Sequence, residues 1–100
     1  MTSRQRVTEA INHREPDRMP IDVGMHTSTG ISAFAYWHLR EHLGLPVESV
    51  ELVDGVQVLA RVEEDILRRF HSDCIFLKPK PQKHWLWNPR GKYKFKVPDY

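Results

Sequence analysis

Four consecutive apolar residues, Cys74–Leu77, follow a strongly amphipathic stretch of the chain. A short apolar run without polar alternation is typical of a strand that is buried on both faces, as in a parallel sheet. Such a strand needs neighbouring strands to pair with. The sequence offers one other core strand, Met19–Val23, in which Pro20 is tolerated only near the beginning because proline lacks the N–H that a ladder uses.

Three helices are predicted to accompany these strands. The first covers Ser3–His13, because Thr2 and Gln5 form a capping-box pair ahead of apolar residues at helical spacing. It must end before Pro16, since proline disfavours helical geometry in the residue that precedes it. A polar turn then leads into the first strand.

The second and third helices are predicted from apolar residues that recur at helical spacing. Residues 31–43 form the second helix, and Gly44–Pro46 supplies its stop signal. Residues 56–70 form the third helix, which has one apolar face and one charged face. Asp54 and Gln57 can cap its beginning.

The last part of the chain differs in composition from the rest. Residues 78–100 carry seven lysine or arginine residues against one acid, whereas residues 1–77 carry eight basic and twelve acidic residues. Asn88–Gly91 predicts a turn, and the alternation over Lys92–Val97 predicts the second strand of a basic aromatic hairpin. Helix, strand, loop, two helices and strand over residues 1–77 predict the beginning of an alternating α/β architecture, with the hairpin as an excursion.

Composition also bears on compartment and partners. A single cysteine excludes an intramolecular disulfide, and no apolar run is long enough to span a membrane, so we expect a reducing cytoplasm and no membrane partner. Lysines interleaved with aromatic residues in the tail would suit nucleic acid. The same alternation is typical of a hairpin with one packed and one solvated face, which we favour over a nucleic-acid partner.

Candidate site residues cluster at the end of the first predicted strand. Asp22, His26, Thr27 and Ser28 place a carboxylate, an imidazole and two hydroxyls at a strand's carboxyl end, where α/β enzymes commonly contact ligands. A carboxylate near an imidazole can transfer protons or orient a substrate hydroxyl. The alternative is that His26, Thr27 and Ser28 satisfy backbone groups of the loop, with Ser28 or Thr29 as cap of the second helix.

Two further patterns have a simpler interpretation. His38, Glu41 and His42 reproduce the H-x-x-E-H spacing of the inverted zinc-protease motif. A zinc site of this kind needs a third protein ligand. Downstream of the motif, no carboxylate in a predicted helix could provide it. We therefore expect the two histidines to be half-buried packing residues. Cys74 is likewise expected to be an inert packing residue inside the apolar run.

Two stretches of the chain resemble the uroporphyrinogen decarboxylase superfamily. The opening Thr2–Val7, followed by Asn12–Asp22 with its Glu-Pro-Asp-Arg-Met-Pro turn, looks like the first helix and first strand of these proteins. The stretch Glu63–Phe70, followed by Asp73–Ile75, is similar to the helix before their second strand. Together the two stretches cover most of residues 2–77.

The resemblance implies that the α/β chain is the N-terminal portion of a (β/α)8 TIM barrel, whose site lies at the carboxyl ends of the strands. It implies one of two chemistries: cofactor-free decarboxylation of uroporphyrinogen, or zinc-assisted methyl transfer between corrinoids, methylated substrates and thiols. The implied partners are a small-molecule substrate, a corrinoid protein in the methyl-transfer case, and the carboxyl-terminal part of the barrel.

Departures from the decarboxylase pattern favour the methyl-transfer branch. Decarboxylases carry Met-Arg-Gln-Ala-Gly-Arg after the first strand, and the arginines neutralise substrate carboxylates. Aligned on Pro20, those two positions hold Met25 and Thr29, and Lys80 stands where decarboxylases have an aspartate that accepts pyrrole N–H groups. The zinc ligands of the methyltransferases, a histidine and cysteines, belong to the carboxyl-terminal half, so this segment is expected to bind no cofactor itself.

Two alternatives stay open at this point. One is a uroporphyrinogen decarboxylase with a rearranged carboxylate clamp. The other is a stand-alone binding module of 100 residues that uses its basic aromatic tail. In the methyl-transfer interpretation, zinc lowers the pKa of a bound thiol to create the nucleophile, and the 100-residue chain alone is expected to be inactive.

Overall fold

The computed structural model describes residues 1–99 and combines helices with short strands. The helices are α1 (Ser3–Ile11), α2 (Ala33–His42) and α3 (Glu64–Arg69). The strands are β1 (Leu52–Asp54), β2 (Leu59–Ala60), β3 (Lys83–Trp87) and β4 (Phe95–Asp99), and short 3-10 helices occupy Thr27–Thr29 and Pro89–Gly91. β1 pairs with β2 and β3 with β4, both antiparallel. The prediction of mixed helices and strands is therefore confirmed, and the sheets are small.

The capping box predicted for α1 is present. The Gln5 N–H donates to the Thr2 hydroxyl at 3.1 Å, and the Thr2 N–H donates to the Gln5 side-chain oxygen at 2.9 Å. The helix ends at Ile11, two residues earlier than predicted, because His13 takes a left-handed conformation with φ of 58°. A helix cannot continue through such a residue.

Helix α2 agrees with the prediction apart from the first two residues and the last one. It ends in a Schellman motif, in which the Leu45 N–H donates to the Arg40 carbonyl and the Gly44 N–H donates to the Glu41 carbonyl. Gly44 has φ of 71°, which glycine adopts at no steric cost. Among residues 1–99, no helix has both the length and the apolar content that crossing a membrane demands.

The third helix is shorter than predicted. Residues 52–60 form the β1–β2 hairpin instead, and Val56 is 94% exposed. The Asp54 carboxylate does cap a turn, since it accepts hydrogen bonds from the N–H groups of Val56 and Gln57, but the turn belongs to a hairpin. Asp54-Gly55 is a strong turn former, and it overrides the helical spacing of the apolar residues around it.

Neither predicted core strand forms a ladder. Met19–Val23 and Cys74–Leu77 lie outside the assigned strands, yet the Asp73 N–H donates to the Ile21 carbonyl at 2.7 Å. The Ile21 N–H donates to the Asp73 carboxylate at 2.9 Å. The strand prediction is wrong because this side chain takes an N–H that a ladder would use, and Pro20 has none to give. The first segment is thus joined to Asp73, directly before the second segment, without regular strand pairing.

Burial on both faces, predicted for the apolar run, is not observed. Ile75 is 62% exposed and Leu77 is 87% exposed. Met19, on the neighbouring segment, is 81% exposed. This side of the molecule therefore presents apolar side chains that the described residues leave uncovered.

The core lies between α2, β1 and the β3–β4 hairpin. Four large side chains are fully buried there: Tyr36, Val50, Ile66 and Phe95. Around Phe95 the aromatic rings meet edge to face, with Phe34 at 4.9 Å from Tyr93 and at 5.3 Å from Phe95. Trp37 lies 5.6 Å from Tyr93. Such edge-on pairs stabilise a core beyond the area that they bury.

The basic aromatic hairpin is confirmed, with its second strand displaced. The chain reverses through Arg90 and Gly91, both with positive φ, in the predicted turn. β4 begins at Phe95 rather than at Lys92. Tyr93 and Phe95 are buried whereas Lys92 is exposed, so the hairpin has one packed and one solvated face as predicted.

A polar contact fixes α3 against α2. The Glu63 N–H donates to the Tyr36 hydroxyl at 2.9 Å, and that hydroxyl donates to the Glu63 carboxylate at 3.1 Å. Arg40, which is buried, donates to the Asp65 carboxylate at 2.9 Å. Burial raises the pKa of Tyr36 to about 12, so its hydroxyl remains a donor at neutral pH.

We expect Phe95→Ala to lower the free energy of unfolding by about 3–5 kcal/mol, because it removes a fully buried ring from the aromatic cluster. The matched control is Leu86→Ala on the paired strand, where the side chain is 66% exposed and the cost should stay below about 1 kcal/mol. Urea unfolding followed by circular dichroism measures both. Equal losses from the two variants would contradict this placement of the core.

Candidate functional site

The loop after Val23 is closed by hydrogen bonds between its own residues. The Gly24 N–H donates to the Thr29 carbonyl and the Thr29 N–H donates to the His26 carbonyl, each at 3.0 Å. The Thr29 hydroxyl also accepts from the His26 N–H at 3.2 Å. Gly24 has φ of 80°, and a Cβ there would come within 2.5 Å of the Val62 side chain. The backbone of this loop is therefore positioned without help from a ligand.

The His26 ring is oriented by Ser28. Its Nδ1 accepts a hydrogen bond from the Ser28 N–H at 3.2 Å and lies 2.9 Å from the Ser28 hydroxyl. A backbone N–H can only donate, so Nδ1 of the neutral ring carries no proton and Nε2 carries it. His26 is exposed. Its Nε2–H is thus positioned to donate to an acceptor on a ligand.

Asp22 and Thr27 contribute differently. The Asp22 carboxylate accepts the Met25 N–H at 2.8 Å, which places this half-buried side chain at the base of the loop. Thr27 is half-buried, and its carbonyl accepts the Gly30 N–H at 3.4 Å. No hydrogen bond joins Asp22 to His26 among the described residues, so the structure unites His26 with Ser28 and leaves the carboxylate apart.

The alternative interpretation, in which the loop side chains have structural roles, is correct for the backbone hydrogen bonds but wrong for the helix cap. Its side chains do satisfy loop backbone groups, as the Asp22 and Thr29 hydrogen bonds illustrate. The N-cap of α2, however, is Ser32, and its side chain makes no capping bond. The expectation that a serine or threonine of the loop caps this helix is wrong, because their hydroxyls are engaged within the loop.

A buried carboxylate supports the segment that carries the loop. The Asp73 side chain is fully buried and accepts from Arg6 at 2.5 Å, from Arg18 at 2.8 Å and from the Ser3 hydroxyl at 2.8 Å. It also accepts the Ile21 N–H, one residue before Asp22 in the chain. The candidate residues are therefore tied to α1 through this one group.

These contacts set the charge of Asp73. Burial alone would raise the pKa of its carboxyl. The hydrogen bonds from Ile21, Ser3, Arg18 and Arg6 outweigh burial and hold that pKa far below its ordinary value of 3.8. Asp73 is therefore ionised throughout the neutral range.

The sequence does not predict this network. Asp73 stands directly before the apolar run and belongs to the second stretch that carries the resemblance. Its partners Ser3, Arg6 and Arg18 lie more than fifty positions away along the chain. An acid immediately ahead of an apolar run, with two arginines in the opening segment, was the available signal.

Cys74 agrees with the prediction of an unreactive packing residue. Its side chain is half-buried. Burial raises the pKa of the thiol, and the negative charges of Asp22 and Asp73 raise it further. The thiolate, which is the nucleophilic and metal-binding form, is therefore disfavoured at neutral pH.

The half-buried packing predicted for His38 and His42 is wrong, because both residues are exposed. His38 Nε2 lies 2.7 Å from the Tyr93 hydroxyl, a contact that joins α2 to the hairpin. His38 Nδ1 lies 3.1 Å from the Glu41 carboxylate, one turn further along the same helix. Residues 1–99 contain no group of three histidine, cysteine or acidic side chains that could hold a metal ion.

Beside the loop lies a small apolar cleft. It has a volume of about 200 Å3, and its lining includes Val23, Ile31 and Phe70. None of the four candidate residues lines it. The polar groups of the loop and this apolar surface are therefore neighbours, with the loop itself facing outward.

Comparisons of the chain with protein-family models, with curated proteins and with solved structures find no match. A functional proposal must therefore be supported by the geometry of the loop and by the sequence resemblance.

We expect neutral His26 to carry its proton on Nε2, because Nδ1 accepts the Ser28 N–H. Long-range proton–nitrogen correlation spectra of the imidazole report the tautomer directly. Ser28→Ala should preserve it, since the backbone N–H remains, whereas Ser28→Pro removes that donor and should relax the preference. His13, which is exposed, serves as the internal comparison. A dominant Nδ1–H form of His26 would contradict the assigned geometry.

We expect acid to weaken the fold through Asp73. A carboxyl with a depressed pKa in the folded state contributes stability that is complete above its unfolded pKa and is lost as the pH falls towards the folded value. Urea midpoints should therefore decline below about pH 5. Asp73→Asn should cost about 3 kcal/mol at neutral pH and flatten this dependence.

The control for this experiment is Glu64→Gln, which removes an exposed carboxylate paired with Arg68. That change should cost less than about 0.5 kcal/mol and should leave the pH dependence intact. An Asp73→Asn variant with the wild-type pH profile would refute the role given to the buried carboxylate.

Proposed function

We propose that this chain is the N-terminal segment of a (β/α)8 barrel enzyme of the uroporphyrinogen decarboxylase superfamily, on its methyl-transfer branch. The observation that carries the proposal is the contact between Ile21 and Asp73. Ile21 lies in Met19–Val23, which the resemblance assigns to the first barrel strand, and Asp73 directly precedes Cys74–Leu77, assigned to the second. Two hydrogen bonds join Ile21 to Asp73, one from each backbone N–H.

The distribution of apolar surface supports the same proposal. Met19, Ile75 and Leu77 are all more than half exposed on these two segments. Barrel strands require apolar partners on both faces, from the barrel interior and from the surrounding helices. Further strands and helices of the same polypeptide would cover these side chains and complete the ladder.

The candidate pocket follows the first of the two segments. Asp22 stands near its end, and the loop with His26, Thr27 and Ser28 comes next, which corresponds to the catalytic face of a barrel. In this proposal His26 donates its Nε2–H to the substrate, and Asp22 holds the loop against the strand. The substrate is a small molecule that the barrel encloses.

The methyl-transfer branch is supported by the lack of positive charge at the two positions where decarboxylases have arginines. Met25 offers an apolar side chain, and the Thr29 hydroxyl is engaged with His26, so neither supplies the positive charge that uroporphyrinogen carboxylates require. Lys80 offers no acceptor for pyrrole N–H groups. Methyl transfer makes no such demand on these positions.

Zinc and a corrinoid belong to this proposal as groups held elsewhere in the enzyme. The described residues provide no cluster for a metal, and the resemblance assigns the zinc ligands to the carboxyl-terminal half. Zinc would supply a thiolate by lowering the pKa of a bound thiol. The residues of this segment would bind and orient the substrate.

The test uses the complete polypeptide to which the segment belongs. Purified enzyme is incubated with zinc, methylcobalamin and a small thiol, and the loss of methylcobalamin absorbance is followed together with formation of the methyl thioether. We expect thiol-dependent methyl transfer and no turnover of uroporphyrinogen. Decarboxylation of uroporphyrinogen without methyl transfer would instead identify a decarboxylase with a rearranged clamp.

The role of the loop is tested in the same assay. His26→Ala should lower kcat/KM about tenfold, because it removes the oriented donor. His13→Ala, at an exposed position after α1, should leave the activity unchanged. An enzyme with neither activity would refute the proposed function, and equal effects of the two variants would refute the role of His26.

A further inference from the structure

A lysine-lined groove lies between the start of the hairpin's second strand and the polypeptide after α2. Its volume is about 530 Å3, which is within the range of small-molecule sites. Three lysines line it, Lys92, Lys94 and Lys96, together with the apolar side chains of Trp37, Val47 and Leu86. The groove therefore combines positive charge with an apolar wall.

The lysines are brought together at the beginning of β4. Lys96 lies in that strand, and Lys92 and Lys94 directly precede it. They alternate in sequence with Tyr93, Phe95 and Val97, which pack into or against the core. Leu86 stands opposite Lys96 in the β3–β4 ladder and so lies on the same face of the hairpin. The buried aromatic cluster thus fixes which face the lysines occupy.

Most of this positive charge has no partner in the described residues. Lys92 pairs with Glu41 at 3.5 Å, whereas Lys94 and Lys96 form no ion pair within residues 1–99. Glu48 is the one acidic residue that lines the groove. The groove therefore carries a net positive charge that an anion would complement.

A second observation points to a ligand. Trp37 lines the groove, is 6% exposed, and its indole Nε1–H has no hydrogen-bond partner among residues 1–99. Buried tryptophan N–H groups usually find an acceptor. A ligand bound against the Trp37 ring is therefore expected to change the environment of this N–H.

We propose that the groove binds a small amphipathic anion, with an aromatic or aliphatic body against Trp37, Val47 and Leu86 and a phosphate or carboxylate near Lys94 and Lys96. The apolar body of the ligand would be buried against the apolar wall of the groove. Its anionic group would form charge-assisted hydrogen bonds with the lysines. This site is separate from the loop of His26 and does not depend on the barrel assignment.

The test titrates the full chain with 1-naphthyl phosphate and, separately, with uncharged 1-naphthol. The indole N–H signals are followed in proton–nitrogen correlation spectra, and Trp37 is identified by its loss in Trp37→Phe. We expect a saturable shift of the Trp37 signal with the phosphate, much weaker binding of the naphthol, and affinity that declines with added salt.

Charge variants locate the site. Lys94→Gln/Lys96→Gln should weaken binding of 1-naphthyl phosphate about tenfold. Lys80→Gln/Lys83→Gln removes the same number of charges outside the groove and should change the affinity less than about twofold. Far-ultraviolet circular dichroism checks that both variants remain folded.

Three outcomes would overturn the proposal. Equal affinity for 1-naphthol would show that only the apolar surface binds. An equal loss of affinity in the two double variants would show that the net charge of the protein, and not this groove, attracts the phosphate. A Trp37 signal that does not move while 1-naphthyl phosphate binds would place the ligand elsewhere.

Discussion

The buried carboxylate of Asp73 joins parts of the chain that are far apart in sequence. It holds α1 through Ser3 and Arg6, the following turn through Arg18, and the first extended segment through the N–H of Ile21. A carboxylate withdrawn from water is stable only when several donors compensate the lost hydration. Since the donors come from three separate parts of the chain, these elements are expected to order together. The loop of His26 depends on the same contacts because it begins three residues after Ile21.

The molecule is stabilised in two different ways on its two sides. Around Phe95 the aromatic rings of α2 and the hairpin bury apolar area. Around Asp73 the contacts are ionic and polar, whereas Ile75 and Leu77 stay exposed. Exposed apolar side chains next to a buried carboxylate whose hydrogen bonds are all satisfied are expected on a face that other elements cover. This asymmetry supports the proposal that further elements of the protein cover that side.

Elements with local signals could be predicted from sequence. The capping box of α1, the glycine stop after α2 and the turn at residues 88–91 involve near neighbours, and all three are observed. The prediction of a long third helix is wrong because Asp54-Gly55 favours a turn, although the apolar residues around it also have helical spacing. The prediction of the two strands is wrong because the Asp73–Ile21 contact spans 52 positions, so neither segment alone indicates it. Likewise, the sequence located the candidate loop but not the orientation of its side chains.

The orientation of His26 narrows what the loop can do. A proton shuttle through an imidazole needs one nitrogen to release a proton while the other receives one. Here Nδ1 already accepts the Ser28 N–H, so protonation at Nδ1 would break a bond that helps to hold the loop. The Nε2–H is free of this constraint and points to a fixed role as donor. Because the loop is ordered by its own hydrogen bonds, a ligand that accepts from Nε2 would bind without the cost of ordering the backbone. Positioning of a substrate oxygen therefore fits this geometry better than proton transfer does.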